Sequence, residues 1–162
     1  MSLYWINLDG VRLGIMPRPR GNDWLSDDLR LLRQVGVDVV VSALTSEENQ
    51  ELGLTEEGQE CANIGLVFVS FPIKDRSVPA SHTKFGALVD RLSEYLGKGK
   101  AIAVHCRAGI GRSSMIAASV LNRNSISVDS AFQAIAESRG CAVPDTLEQR
   151  QWVEQFSLSS KL

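Results

Sequence analysis

The segment His105-Cys106-Arg107-Ala108-Gly109-Ile110-Gly111-Arg112-Ser113 concentrates more reactive chemistry than any other stretch of this chain. A cysteine closing one apolar run, five intervening residues with two glycines, and an arginine opening the next apolar run would set a sulfur at the floor of a ring of backbone N–H groups. Such a ring binds a tetrahedral oxyanion. Arg107, Ala108, Gly109, Ile110, Gly111 and Arg112 would supply the amides. Gly109 and Gly111 are expected at positive φ, where successive amides turn inward and no Cβ obstructs the anion. The planar fork of Arg112 can hold two phosphate oxygens at once, which lysine cannot copy. The same amides, and the N-terminus of a following helix, favour a thiolate, so Cys106 reads as a nucleophile ionised at neutral pH. Ser113 is placed to hydrogen-bond the sulfur and ease its departure when a phosphoryl group leaves it. His105 reads as a brace for the loop, not as a proton carrier.

These roles require a strand before the loop and a buried helix after it, and the flanking sequence provides both. Residues 101–104 are a short apolar strand and residues 115–121 suit a central helix. Upstream, residues 3–6 and 11–16 predict a hairpin covering a sheet edge, followed by a loop at Pro17, Pro19 and Gly21. Leu25, Leu29, Leu32 and Val35 recur at helical spacing before a stop at Gly36. Residues 37–44 form a β-branched run with little alternation, the pattern of a parallel strand buried on both faces. The acidic stretch 45–60 predicts one or two short helices broken near Gly53 and Gly58, and residues 66–71 the next strand. Phe85, Leu88, Val89, Leu92 and Leu96 mark an apolar helical face, with Ser81 as N-cap and Gly97 and Gly99 as the end. Two more helices are expected, one through Val128, Phe132 and Ile135, the other through Gln149, Val153 and Phe156 behind a cap at Thr146. Alternating strands and helices give an α/β fold: a mainly parallel central sheet flanked by helices on both sides.

The nine-residue segment resembles the signature of the cysteine-based protein tyrosine phosphatase superfamily: His-Cys, five residues, then Arg followed by Ser or Thr. The resemblance implies hydrolysis of phosphotyrosine-type substrates through a phosphocysteine intermediate, with no metal or cofactor. Such chemistry needs a general acid for the leaving oxygen. Phe71-Pro72-Ile73-Lys74-Asp75-Arg76-Ser77-Val78-Pro79 resembles the acid loop of the dual-specificity-like branch, with Asp75 at the acid position. By that likeness Asp75 protonates the leaving group and later takes a proton from the attacking water. The triplet Trp-Pro-Asp of larger tyrosine-specific enzymes is lacking. In those relatives a Gln-Thr-x-x-Gln pattern orients the water. Here Asp145 replaces the first glutamine and Gln149 keeps the second. Thr146 and Gln149 also match a capping box, so water positioning and helix capping both stand open for Gln149.

Composition bounds the rest. With 162 residues, 44% hydrophobic and 22% charged, the chain suits one catalytic domain over residues 1–162 and not a disordered segment. No apolar run reaches bilayer length and the opening residues lack a secretory pattern, so a cytoplasmic protein without membrane insertion is expected. Three cysteines without ligand spacing argue against disulfides or zinc, leaving Cys61 and Cys141 as small buried residues. A net charge of −2 disfavours nucleic-acid partners. Arg76, Arg139 and Arg150 read as solvated surface positions, and His82 as a surface residue near the acid loop. The expected partner is a phosphoprotein or phosphopeptide, bound by a monomer, with phosphate or other oxyanions occupying the site.

Absence of the tyrosine-gripping motif leaves phosphoserine and phosphothreonine open beside phosphotyrosine. An inositol-lipid or other non-protein phosphomonoester substrate is the rival, weakened by apolar Ala108 and Ile110 where such relatives carry lysines. An RNA 5′-phosphatase lacks a basic stripe here. A catalytically inactive phosphate-binding module would not need Cys106, Asp75 and Arg112 together, and a rhodanese-like sulfur carrier would not need the acid loop.

Overall fold

The computed structural model describes residues 2–160, so both ends of the expected 1–162 domain lie outside the described residues. Strand β1 (Tyr4–Trp5) and strand β2 (Leu13–Met16) form the expected antiparallel hairpin, with β1 at the edge. Strands β3 (Val39–Ser42), β4 (Val67–Ser70) and β5 (Ile102–His105) complete a five-stranded sheet in the order β1-β2-β5-β3-β4. Every pairing except the first is parallel. The apolar runs of β3 and β5 follow from burial on both faces, while β4, at the other edge, fully buries only Val69.

Helix α1 (Leu25–Gln34) buries Leu25, Leu29 and Leu32 as its spacing predicts. Val35, the expected fourth member of that face, lies past the helix end and is 55% exposed, because the chain turns away there into Gly36 at φ +99°. Helix α2 (Ser46–Leu52) ends at Gly53 in the left-handed conformation. Helix α3 (Glu57–Asn63) runs straight through Gly58, where a break was expected. The glycine serves packing instead: a Cβ there would press on the Phe68 ring of β4 at 3.1 Å.

Helix α4 (His82–Gly97) is capped by Ser81, whose Oγ accepts the Lys84 N–H. Helices α5 (Arg112–Arg123), α6 (Val128–Arg139) and α7 (Leu147–Ser159) follow. Among the described residues no helix is long and apolar enough to cross a membrane.

Strand parity divides the core. Leu13, Ile15, Val39, Val41, Ile102 and Val104 point to one face and pack under α4 to α7. Met16, Val40 and Ala103 point to the other, under α1 and α3. The chain places β5 last, between β2 and β3, so four parallel strands end at one edge of the sheet. The loops after β2, β3, β4 and β5 therefore converge there, where open parallel sheets bind ligands.

Candidate active site

Cys106 follows β5 directly and is 3% exposed, and Arg112 is the first residue of α5. The loop between them is held from outside by its carbonyls. His105 Nδ1 lies 3.3 Å from the Cys106 carbonyl oxygen, and the Arg18 N–H donates to the Arg107 carbonyl at 3.2 Å. Arg139, the last residue of α6, donates from Nη2 to the Ala108 carbonyl at 3.1 Å and from Nε to the Gly109 carbonyl at 3.2 Å. In a trans peptide the carbonyl and the next N–H point in opposite directions. Four outward carbonyls thus aim the N–H groups of Arg107, Ala108, Gly109 and Ile110 toward the concave side.

The glycines act differently from the sequence expectation. Gly109 has φ +71°, as expected, but a Cβ there would strike the Met16 carbonyl oxygen and Pro17 nitrogen at 2.6 Å, on the outer wall and not in the cradle. Gly111 has φ −87°, so it needs no left-handed freedom. A Cβ there would overlap the Asp145 carboxylate, which would have to move, and lie 3.0 Å from Gln149 Oε1.

Ser113 is fully buried, its Oγ 3.4 Å from Cys106 Sγ. Arg112 is 2% exposed and its guanidinium is largely committed. Nη1 donates to Glu48 Oε1 at 2.6 Å and to the Ile73 carbonyl at 2.9 Å, and Nη2 to Glu48 Oε2 at 3.0 Å. The Nη1–Nη2 end of the fork therefore grips Glu48, so the two phosphate oxygens expected on Arg112 would have to meet another edge of it. The Nε–Nη2 edge remains for an anion. Asp75, half exposed, lies with Oδ1 3.1 Å from Nη2. Its partner is thus Arg112, with neither Lys74 nor Arg76 paired to it.

Burial works against the charge of Arg112, but hydrogen bonding to Glu48 and the nearby Cys106 and Asp75 outweigh it and hold its pKa above the usual value. Burial likewise pushes the Glu48 carboxyl up, yet hydrogen bonds from Arg112 and Thr45 more than offset it and leave the pKa below the ordinary glutamate range. Glu48 also completes a capping box with Thr45 at the start of α2.

Gln149 is fully buried. Its Oε1 accepts the Thr146 N–H at 3.2 Å, which realises the capping box, and its Nε2 donates to the Ser77 carbonyl at 3.0 Å. Both ends of the amide are used, and α7 is thereby stapled to the turn that carries Asp75. Asp145 is exposed beside Gly111.

The structure places Ser113 beside Cys106, Asp75 beside Arg112, and Asp145 and Gln149 beside Gly111, whereas the His105 ring points to Glu57. The structure also adds Glu48, Glu57 and Arg18, which sequence reasoning missed. The spacing Thr45-x-x-Glu48 right after a buried strand was the available signal for Glu48. No pattern announces Glu57, whose Oε1 lies 2.6 Å from His105 Nε2.

Several peripheral expectations change. Arg139 braces the loop and stacks on Tyr4, its guanidinium carbon 4.4 Å from the ring centre. Arg150 pairs with Asp129 and Glu154 and covers Phe132, so neither arginine is merely solvated. Cys61 is buried as expected, and burial, then Glu57, pushes its thiol up to about 12. Cys141 is half-buried instead of fully buried. His82 packs against Trp152 and Phe156 of α7 and approaches Ser159 Oγ at 2.7 Å.

A family model described as "Polymorphic toxin system, DSP-PTPase phosphatase" matches residues 14–125. Among curated proteins, dual specificity protein phosphatase 2 of Mus musculus is 26% identical over 121 residues, 74% of this chain and 35% of its own. The chain thus spans about a third of the length of that curated relative. Among solved structures, kinase associated phosphatase bearing serine for its catalytic cysteine has a TM-score of 0.88 at 20% identity, covering 98% of this chain and 95% of that one. Tk-PTP in its active form gives 0.77 at 23% identity with 97% of each chain covered. PTPMT1 in complex with PI(5)P gives 0.79 at 21% identity, with 98% and 96% covered. These structural likenesses establish the fold.

Proposed function

The chain belongs to the family of DSP-PTPase phosphatases described for polymorphic toxin systems, and on that footing we propose that it hydrolyses phosphotyrosine, with phosphoserine and phosphothreonine as further substrates, through phosphocysteine on Cys106. The observation that carries the reading is the convergence of Cys106, the Nε–Nη2 edge of Arg112 and the Asp75 carboxylate at one end of the sheet.

In this mechanism the substrate phosphate settles onto the inward amides of residues 107–110 and takes the Nε–Nη2 edge of Arg112, beside Asp75. Because Glu48 fixes the other edge, the guanidinium meets the three equatorial oxygens in a set orientation and stabilises their charge as the phosphorus flattens. The Cys106 thiolate attacks phosphorus in line. Asp75, displaced from Arg112 by the phosphate, takes up a proton from solvent, turns to the leaving oxygen and gives that proton to it, so that the alcohol or phenol departs neutral. Ionised Asp75 then takes a proton from a water attacking phosphocysteine. Ser113 donates its hydroxyl to the departing sulfur, and phosphate is released. Asp145 orients the water, since Gln149 has both ends committed. His105 holds the loop and carries no proton.

We further assign residues 1–162 to one catalytic domain, monomeric and cytoplasmic, acting on phosphoproteins. Three unpaired thiols support a reducing compartment.

Hydrolysis of para-nitrophenyl phosphate by the purified protein in excess chelator, abolished by Cys106→Ser, is the expected result. Activity that survives Cys106→Ser, or that chelator removes, would overturn the reading. A panel of phosphopeptides and inositol phosphates then reads out substrate class. Turnover of inositol phosphates alone would replace the protein substrate with a lipid headgroup.

A further inference from the structure

His105 belongs to the same strand face as Ala103, so its ring points away from Cys106 and toward α3. There it meets Glu57, and both side chains are at most 1% exposed. The imidazole bridges two groups: Nδ1 lies 3.3 Å from the Cys106 carbonyl and Nε2 lies 2.6 Å from Glu57 Oε1. A carbonyl oxygen can only accept, so Nδ1 must carry a hydrogen. With Nδ1 committed, a contact of 2.6 Å between Nε2 and a carboxyl oxygen requires one more hydrogen between them. Whichever atom holds it, the pair is electrically neutral overall. The second carboxyl oxygen, Oε2, is buried without a hydrogen-bond partner, a position that a bare carboxylate beside a neutral imidazole could not hold cheaply.

The nearest neighbours along the sheet, Met16 and Ser42, are not titratable. Cys61, one helical turn beyond Glu57, is a buried thiol.

We propose that Glu57 is a positioning residue for the phosphate cradle: by sharing a hydrogen with His105 Nε2 it fixes the tautomer in which Nδ1–H anchors the Cys106 carbonyl and so aims the Arg107 amide at the bound oxyanion. The Arg107 N–H is the first donor of the loop, set opposite the anchored carbonyl in the same peptide plane. Without Glu57, the buried Nε2 has no acceptor or donor, the ring is free to exchange tautomers, and the unprotonated Nδ1 of the other tautomer would face a carbonyl oxygen lone pair to lone pair. The peptide would then turn, and the thiolate and the anion would both lose a donor. Glutamine can replace glutamate here by donating its amide N–H to a bare Nε2, an arrangement that leaves Nδ1 protonated on a neutral ring.

Two measurements test the proposal, and only the second depends on the phosphatase reading. The chain has two histidines, so their ring nitrogens are separable by two-bond proton–nitrogen NMR. At neutral pH the spectrum of the buried one is expected to show a protonated Nδ1. A buried imidazole protonated on Nε2 alone would overturn the assignment, with no variant needed. In the second, Glu57→Ala is expected to weaken tungstate binding about tenfold, the worth of one misplaced hydrogen bond to a charged group, and to slow alkylation of Cys106 by iodoacetate. Glu57→Gln should restore most of both. If Glu57→Ala keeps wild-type tungstate affinity and alkylation rate, or if Glu57→Gln is as impaired as Glu57→Ala, Glu57 is not a positioning residue. Should Glu57→Ala fail to fold, the NMR result on the wild type and the Gln variant's tungstate affinity still decide. Failure of the phosphatase reading itself would show separately, as a wild type that neither binds tungstate nor turns over phosphate ester.

Discussion

Removing the Glu48 carboxylate should damage stability and activity together, because Arg112 is buried and grips it with both ends of its fork at 2.6 and 3.0 Å. Breaking a buried ion pair by deleting one partner costs about 3–5 kcal/mol, since the survivor is left charged and unsolvated. Two contacts soften the loss here: the Ile73 carbonyl still accepts from Nη1, and Asp75 still faces Nη2. Glu48→Ala is therefore expected to cost about 2–3 kcal/mol. With a urea dependence of about 2 kcal/mol per molar for a domain of this size, the unfolding midpoint falls by about 1–1.5 M.

The sign of the pH dependence follows from the carboxyl's lowered pKa in the folded state. A group depressed on folding adds stability that is complete above its unfolded value, about 4.3 for glutamate, and disappears as pH falls through the folded one. The gap between wild type and Glu48→Gln should thus be widest near neutrality and narrow below about pH 4. Equilibrium urea unfolding of both proteins across that range is the assay. A midpoint shift for Glu48→Ala too small to detect, or a wild-type advantage over Glu48→Gln that grows on acidification, would refute the clamp.

Asp75→Asn should lower kcat by about 10²–10⁴-fold through loss of proton transfer, while tungstate binding tightens because an anion 3.1 Å from Arg112 is withdrawn; weaker binding would show that Asp75 helps hold the anion. Arg139→Met is expected to raise KM and lower kcat by freeing the Ala108 and Gly109 carbonyls, whereas unaltered kinetics would return Arg139 to the surface role its sequence implied. Gly111→Ala should displace Asp145 and slow breakdown of phosphocysteine more than its formation, read as a larger pre-steady-state burst relative to the steady rate; equal slowing of both steps would remove Asp145 from the water-handling role. Arg112→Lys should impair binding and rate alike, since a point charge cannot serve Glu48 and phosphate at two edges of one planar group, and a mild effect would contradict that geometry.

The elements that place the site were legible because each carries a local signal. The apolar run before Cys106, the glycine-bearing loop and the apolar helix after it encode strand, turn and helix directly. The caps at Ser81 and Thr146 follow from the hydrogen-bonding habits of hydroxyl side chains before an apolar stripe. Gly58 misled because glycine breaks helices by default, and only the approach of β4, distant in sequence, makes its missing Cβ a packing asset. Val35 fitted the helical period, but the period does not say where Gly36 lets the chain leave.

At the candidate site, Cys106, Arg112 and Ser113 lie in one short segment and were found together, and Asp75 was found through the likeness of its own loop. The residues that hold that segment come from other loops: Arg18 after β2, Glu48 after β3, Glu57 on α3 and Arg139 at the end of α6. Their roles depend on strand order, since inserting β5 between β2 and β3 is what gathers those loops, and strand order leaves no mark on local spacing. Gln149 shows the converse case. A capping box and a water-orienting motif share one spacing, and the contact with Ser77 separates them only once α7 meets the acid loop.

The most direct test of the mechanism is the chemical state of Cys106 during turnover. Rapid acid quench of the protein with a phosphate ester, followed by peptide mass spectrometry, should find a phosphoryl group on the peptide bearing Cys106, accumulating further in Asp75→Asn with an activated ester. Hydrolysis that proceeds with this cysteine never phosphorylated, or with the phosphoryl group on another side chain, would contradict it.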